Sequence, residues 1–164
     1  MLNDAFSHVR VWVFDLDNTL YHPSVRLFDQ IEAKMVAWVM AEVGVDAAEA
    51  DRLRKVYWRD YGTTLAGLMA EHKINPDPFL EDVHDISMHA LTPDPTLAAR
   101  IDALPGRKII YTNGTAPYAR RVIAARGLSG LFDAVYGVEH AAYQPKPAQE
   151  AFDKVFAQDG LTPT

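Results

Sequence analysis

The sequence contains no cysteine. Disulfides, thiol nucleophiles and cysteine-ligated zinc are therefore excluded. Long apolar runs are missing as well: none approaches the ~20 residues that a membrane-spanning helix needs. The opening residues, MLNDAFSHVR, carry no basic-then-apolar leader pattern. Basic runs are also lacking. Sixteen Lys and Arg against 22 Asp and Glu leave a net charge of −6, so neither nucleic acid nor an anionic membrane is an expected partner. A cytoplasmic location is expected, and the sequon-like NGT at 113–115 is discounted on that ground. No internal repeat or low-complexity segment occurs.

Strand patterns are absent from residues 22–90, where helical periodicity dominates. Phe28, Ile31, Met35, Trp38 and Val39 recur at helical spacing over 25–43. Asp46 opens DAAE, an N-cap with Glu49 three residues on, and predicts a helix to about Tyr61. TTLAGLMAEHKI and DPFLEDVHDI predict two further helices. On either side the rhythm differs. VRVWVF (9–14) reads as a strand, apolar from Val11 to Phe14 as in a parallel sheet covered on both faces. From residue 91 strand and helix alternate: a helix stopped by Pro105-Gly106, the strand RKIIYT (107–112), the helix APYARRVIAARGL, the strand FDAVYGVE, and a helix in KPAQEAFDKVFAQDG. This alternation predicts βαβ units. The expected fold class is α/β: a Rossmann-like three-layer core with a parallel sheet, formed by 1–20 and 91–164, interrupted by an all-helical insertion at 21–90.

Ligands of open α/β sheets bind beyond the carboxyl ends of the strands. After the first strand come Asp15 and Asp17, with Thr19 close behind. After the second come Thr112, Asn113 and Gly114. After the third, past a loop, comes Lys146, held between Pro145 and Pro147 and expected at a helix N-terminus, with Pro147 at the first helical position. Taken singly, each has a plainer reading: Asp-x-Asp caps a turn, the threonine is structural, the lysine is a solvated charge. Their order, each following a strand, is what draws them together. Asp15 and Asp17 share a face of extended chain, so a cation or Lys146 is needed to offset their repulsion.

DLDNT (15–19), YTNG (111–114) and Lys146-Pro147 resemble the first three motifs of the haloacid dehalogenase-like (HAD) superfamily of hydrolases. The helices inserted after the first motif resemble its C1-type cap. FDLDNTLY, with YWRDYGTTLAGL at 57–68, resembles the pyrimidine 5′-nucleotidase branch. The resemblance implies a Mg²⁺-dependent phosphomonoester hydrolase working through an aspartyl phosphate, acting on a small phosphorylated metabolite such as a pyrimidine nucleoside 5′-monophosphate. It implies Asp15 as nucleophile, Asp17 as acid and base, and Lys146 as charge balance. Thr19, Thr112, Asn113 and Gly114 fall in the substrate-binding motifs, Thr112 and the Asn113 amide holding phosphate oxygens. The implied Mg²⁺ ligands are the Asp15 carboxylate and the Asp17 backbone carbonyl. The aspartate at 17 separates the chain from the dehalogenases themselves. Alternatives are a phosphatase for another small phosphometabolite, a phosphoaccepting module like a receiver domain, and a binding remnant without turnover.

Among other residues, no histidine pair has helical metal-ligand spacing, and His22 is expected on the surface of a hinge. Tyr57, Arg59 and Tyr61 are candidates for facing the site. The family's fourth motif, an acidic pair after a further strand, is not found: the chain stops at AQDGLTPT, and Asp159, which follows a helix, is not assigned to it. The 164 residues alone are therefore expected to be weakly active or inactive. Comparable phosphatase turnover from this chain and from a version with a natural C-terminal continuation would refute that.

Overall fold

In the computed structural model, residues 6–162 are described. The first five residues of the expected core and the last two lie outside them.

Strand β1 (Val11–Phe14) is followed by a 3-10 turn at Pro23–Val25 and four helices: α1 (Leu27–Val43), α2 (Ala47–Tyr61), α3 (Thr64–His72) and α4 (Pro76–His84). Then come α5 (Pro95–Asp102), β2 (Arg107–Tyr111), α6 (Ala116–Ala125), β3 (Ala134–Tyr136), a 3-10 turn at Val138–Ala141 and α7 (Gln149–Asp159). The sheet order is β1-β2-β3, all parallel, with Phe14 level with Ile110 and Ile110 level with Val135. Every strand therefore ends on the same edge.

Local chemistry sets the helix boundaries. The side chains of Asp46, Thr63, Asn75, Asp94 and Thr115 each accept a backbone N–H of the helix that follows, satisfying donors a helix start leaves unpaired. At Asp46 only half of the expected capping box forms. Its carboxylate accepts from the Glu49 amide at 2.9 Å, while the Glu49 side chain pairs with Arg52 instead. Pro76 and Pro95 stand at first-turn positions, where a missing N–H costs nothing.

Side-chain alternation divides the core. Ile110 and Val135 join the large apolar cluster that includes α6 and the four helices. Their neighbours Tyr111 and Tyr136 point to the other face, where Ala151, Phe152 and Val155 of α7 cover them. The result is helix, sheet and helix in three layers. Two expectations need correction. Strand β1 is not covered on both faces. It lies at the sheet edge among the described residues, and although Phe14 packs edge-on against Phe132, Val13 on the opposite face is 41% exposed. The last helix begins at Gln149 and not at Pro147, because the Ala148 amide bonds the Pro145 carbonyl and closes a turn first. Lys146 thus precedes the helix by a turn. No helix among the described residues is long and apolar enough to cross a membrane.

Helices α2 and α3 are in close contact at Gly67. A Cβ there would lie 2.3 Å from the Tyr57 Cβ, a stem atom that cannot swing away. Gly67→Ala should therefore lower stability by about 1–3 kcal/mol through overpacking, despite alanine's higher helix propensity. Urea unfolding of the two proteins measures it; a gain in stability would contradict this packing.

Candidate active site

The carboxyl edge of the sheet collects the polar residues that follow each strand. Leu16 is fully buried, and in near-extended chain its neighbours Asp15 and Asp17 share the opposite side. Asn18 then takes a left-handed conformation, φ 58°, which asparagine tolerates better than most residues. The chain turns back there, so that the Leu20 amide bonds the Leu16 carbonyl at 2.9 Å. The same turn brings the Thr19 hydroxyl onto Asp15 Oδ2 at 2.7 Å.

Lys146 reaches this turn from the loop after β3. Its ammonium donates to Asp15 Oδ1 at 2.8 Å and to the Tyr111 carbonyl at 2.7 Å. Asn113 holds the lysine's backbone at both ends, accepting from its amide at 2.7 Å and donating to its carbonyl at 3.2 Å. The asparagine side chain is thereby committed to positioning the loop. Thr112 is buried, and its hydroxyl accepts the Gly114 amide at 3.0 Å. Asp15, Thr19, Lys146, Asn113, Thr112 and Gly114 thus form one connected group.

Asp17 is bound differently. Tyr21 and Tyr118 each donate a phenol hydrogen bond to its Oδ1, both at 2.8 Å. Burial, joined by the negative charge of Asp15, pushes its carboxyl above the usual range. The two phenol bonds and the charge of Lys146 work against that rise. Both phenols are pushed up in turn by burial and by the Asp17 charge. Tyr118 also stacks on His84 of α4, ring centres 4.4 Å apart and nearly parallel.

Asp17, Asn113 and Gly114 stand in the wall of a cavity of about 710 Å³ whose remaining walls come largely from the four inserted helices, including Phe28, Met35 and Trp58. Asp15 and Lys146 are not among its wall residues. Tyr57, Arg59 and Tyr61 do not line it either: Tyr57 is buried against His72, Tyr61 bonds Glu71, and Arg59 pairs with the adjacent Asp60. Of residues 57–61, exposed Trp58 is the one that does. His22 caps the first 3-10 turn through Ser24. Asp159 is committed to Arg107 and Tyr136. Tyr21, Tyr118 and His84 escaped the reading of the sequence; only Tyr21, four residues after Asp17, lay within a quoted motif.

Residues 9–163 match the family of haloacid dehalogenase-like hydrolases, and the chain belongs to that family. Phosphate metabolism protein 8 of Saccharomyces cerevisiae is 28% identical over 154 residues, covering 87% of this chain and 46% of that protein. The chain spans about half the length of this relative. L-2-haloacid dehalogenase from Xanthobacter autotrophicus shares the fold, with TM-score 0.51 and 23% identity over 95% of this chain and 67% of that one. A HAD hydrolase of Bacillus subtilis, YfnB, solved with magnesium, matches with TM-score 0.49 and 18% identity over 91% and 72% of the two chains.

His84 provides a measurable consequence. It is buried, and burial pushes its imidazole down from 6.5 to about 4. The unfolded chain then takes up this proton first as pH falls. Stability present above pH 6.5 is lost between pH 6.5 and 4, by about 3 kcal/mol for this group. His84→Phe, which keeps a ring on Tyr118, should flatten that part of the stability–pH curve. Equal slopes for both proteins in urea unfolding at pH 7 and pH 5 would show that His84 is not held neutral.

Proposed function

We propose that this hydrolase cleaves phosphomonoesters through an aspartyl phosphate on Asp15. The observation that carries the reading is the Asp15 carboxylate held by Lys146 and Thr19 at the edge where the strands end, beside a second aspartate with a raised pKa.

The reaction follows from the charges. A phosphomonoester dianion repels a carboxylate, so the approach must be screened. The Lys146 ammonium lies on the nucleophile itself, and the Thr112 hydroxyl and Asn113 backbone amide offer neutral donors to phosphate oxygens. Asp15 forms a carboxylate–phosphorus bond as the ester oxygen leaves, and Asp17 gives that oxygen its proton. Asp17, now ionised, takes a proton from water as the water oxygen attacks phosphorus. The acyl phosphate bond breaks, inorganic phosphate departs, and both aspartates return to their starting states. A carboxyl whose pKa is raised by burial suits this double duty.

The donor set also fits Mg²⁺. It consists of hard oxygen atoms, the ligand type that Mg²⁺ takes alongside its own waters. The Asp15 carboxylate and the Asp17 backbone carbonyl would hold it, and its charge would offset that of the phosphoryl oxygens. Residues 21–90 act as a cap over the core formed by 1–20 and 91–164. The cap cavity is of the size small-molecule sites take, and the face of Trp58 in its wall supports a planar base. The resemblance of FDLDNTLY and YWRDYGTTLAGL to the pyrimidine 5′-nucleotidase branch selects among such bases, and the preferred substrates are pyrimidine nucleoside 5′-monophosphates. A metabolite phosphatase of this kind suits the cytoplasm.

The test is phosphate release from a panel of phosphomonoesters with and without Mg²⁺, together with mass spectrometry of acid-quenched protein. Cytidine and uridine 5′-monophosphates should exceed the purine nucleotides. The quenched protein should carry one phosphoryl group on the peptide containing Asp15, and Asp15→Asn should abolish both release and labelling. Turnover that survives Asp15→Asn would overturn the assignment.

A further inference from the structure

The oxygen of Asp17 that accepts hydrogen bonds is shared by two phenols from distant parts of the chain. Tyr21 follows Asp17 by four residues, and Tyr118 lies 101 residues away on α6. Both rings are almost fully buried, 3% and 1% exposed. Both hydrogen bonds end on Oδ1, and among the described residues nothing bonds Oδ2. Rotation about the terminal bond of an aspartate is otherwise soft. Two convergent donors remove that freedom and make the two oxygens inequivalent.

The phenols are held as firmly as the carboxyl. Tyr118 stacks on His84 at 4.4 Å, and Gly114 abuts both rings: a Cβ there would come within 3.0 Å of Tyr118 and 3.4 Å of His84. Arg121, one turn further along α6, donates to the carbonyls of His84 and Ile86 at 2.9 and 2.6 Å and fixes the inserted helices against α6. Tyr21 shares the same apolar cluster.

We propose that Tyr21 and Tyr118 are positioning residues: they pin Asp17 through Oδ1 so that Oδ2 is the oxygen that exchanges a proton with the leaving group. The assignment rests on the phosphomonoesterase reading above. The phenols touch neither phosphate nor leaving group in this role. They are neutral donors at working pH and act only by orienting the carboxyl.

Leaving-group dependence separates orientation from simple structural support. An alkoxide must be protonated as it departs, whereas p-nitrophenolate leaves without a proton. The parameter to compare is kcat/KM, which reports the step in which the leaving group departs. Tyr118→Phe and Tyr21→Phe remove one hydroxyl each and keep the ring. Each should lower kcat/KM for an alkyl phosphate such as ribose 5-phosphate about tenfold, part of the 10²–10⁴ that general acid catalysis supplies. Neither should change kcat/KM for p-nitrophenyl phosphate more than about twofold. Asp17→Asn, which removes the acid itself, sets the scale and should show the same selectivity more strongly.

Equal losses on both esters, or no loss on either, would overturn the positioning role while Asp17→Asn still showed its selectivity. No turnover of any ester by the unaltered protein carrying a natural C-terminal continuation, the form in which all these variants are compared, would instead remove the phosphomonoesterase reading and this assignment with it. Circular dichroism melts of both variants establish that they fold. If one does not, the other hydroxyl decides the question, since both bonds end on the same oxygen.

Discussion

The bond between the Lys146 ammonium and the Asp15 carboxylate holds the site together. It spans 131 residues of sequence, and the same ammonium also bonds the carbonyl that ends β2. One cation therefore joins β1, β2 and the loop after β3 at the edge where all three strands stop. The lysine cannot wander, because the Asn113 side chain grips its backbone at both the amide and the carbonyl. Loop, strand end and carboxylate become one unit. Without the ammonium, Asp15 would face Asp17 with no ion-pair partner among the described residues.

The site's placement was legible in the sequence for a simple reason. Strands and helices announce themselves by period and by caps, and a residue just after a parallel strand must lie at the carboxyl edge. Asp46 marked a helix start because a short polar side chain can satisfy an orphan amide there; Asn75, Asp94 and Thr115 cap their helices in the same way, at starts that period and proline had indicated without them. What stayed hidden depended on long-range geometry. The run Val11–Phe14 gave no hint that it forms a sheet edge with Val13 exposed, since an apolar strand reads alike at an edge and at a centre. The start of α7 was misplaced because Pro147 fits a helix N-terminus and a turn equally well. Tyr118 is one of seven tyrosines, and no periodicity connects it to Asp17.

Specific polar and stacking contacts join α4 to α6 within the apolar cluster that the inserted helices share with α6. Arg121 reaches across to backbone carbonyls at the end of α4 and just beyond it, and His84 of α4 stacks on Tyr118 of α6. The imidazole stays neutral because it is buried, which suits a ring that must lie flat against a phenol without bringing a charge into the apolar cluster. The same stretch of α4 contributes Phe79 and Val83 to the cavity wall. A displacement of α4 would thus alter the cavity and the surroundings of Tyr118 together, and Tyr118 is bonded to Asp17.

Asp17 shows why such a site needs opposing influences. Burial and the neighbouring Asp15 disfavour its anion, while the two phenols and Lys146 favour it. A carboxyl governed by burial alone would stay protonated and serve poorly as a base. One governed by the hydrogen bonds alone would stay ionised and could not donate. A group that must give a proton in one step and take one in the next requires both forms to be accessible at the same pH. The phenols meet that requirement more economically than a second cation would. They stabilise the anion by hydrogen bonding without adding net charge, leaving Lys146 as the full positive charge that the protein places against Asp15.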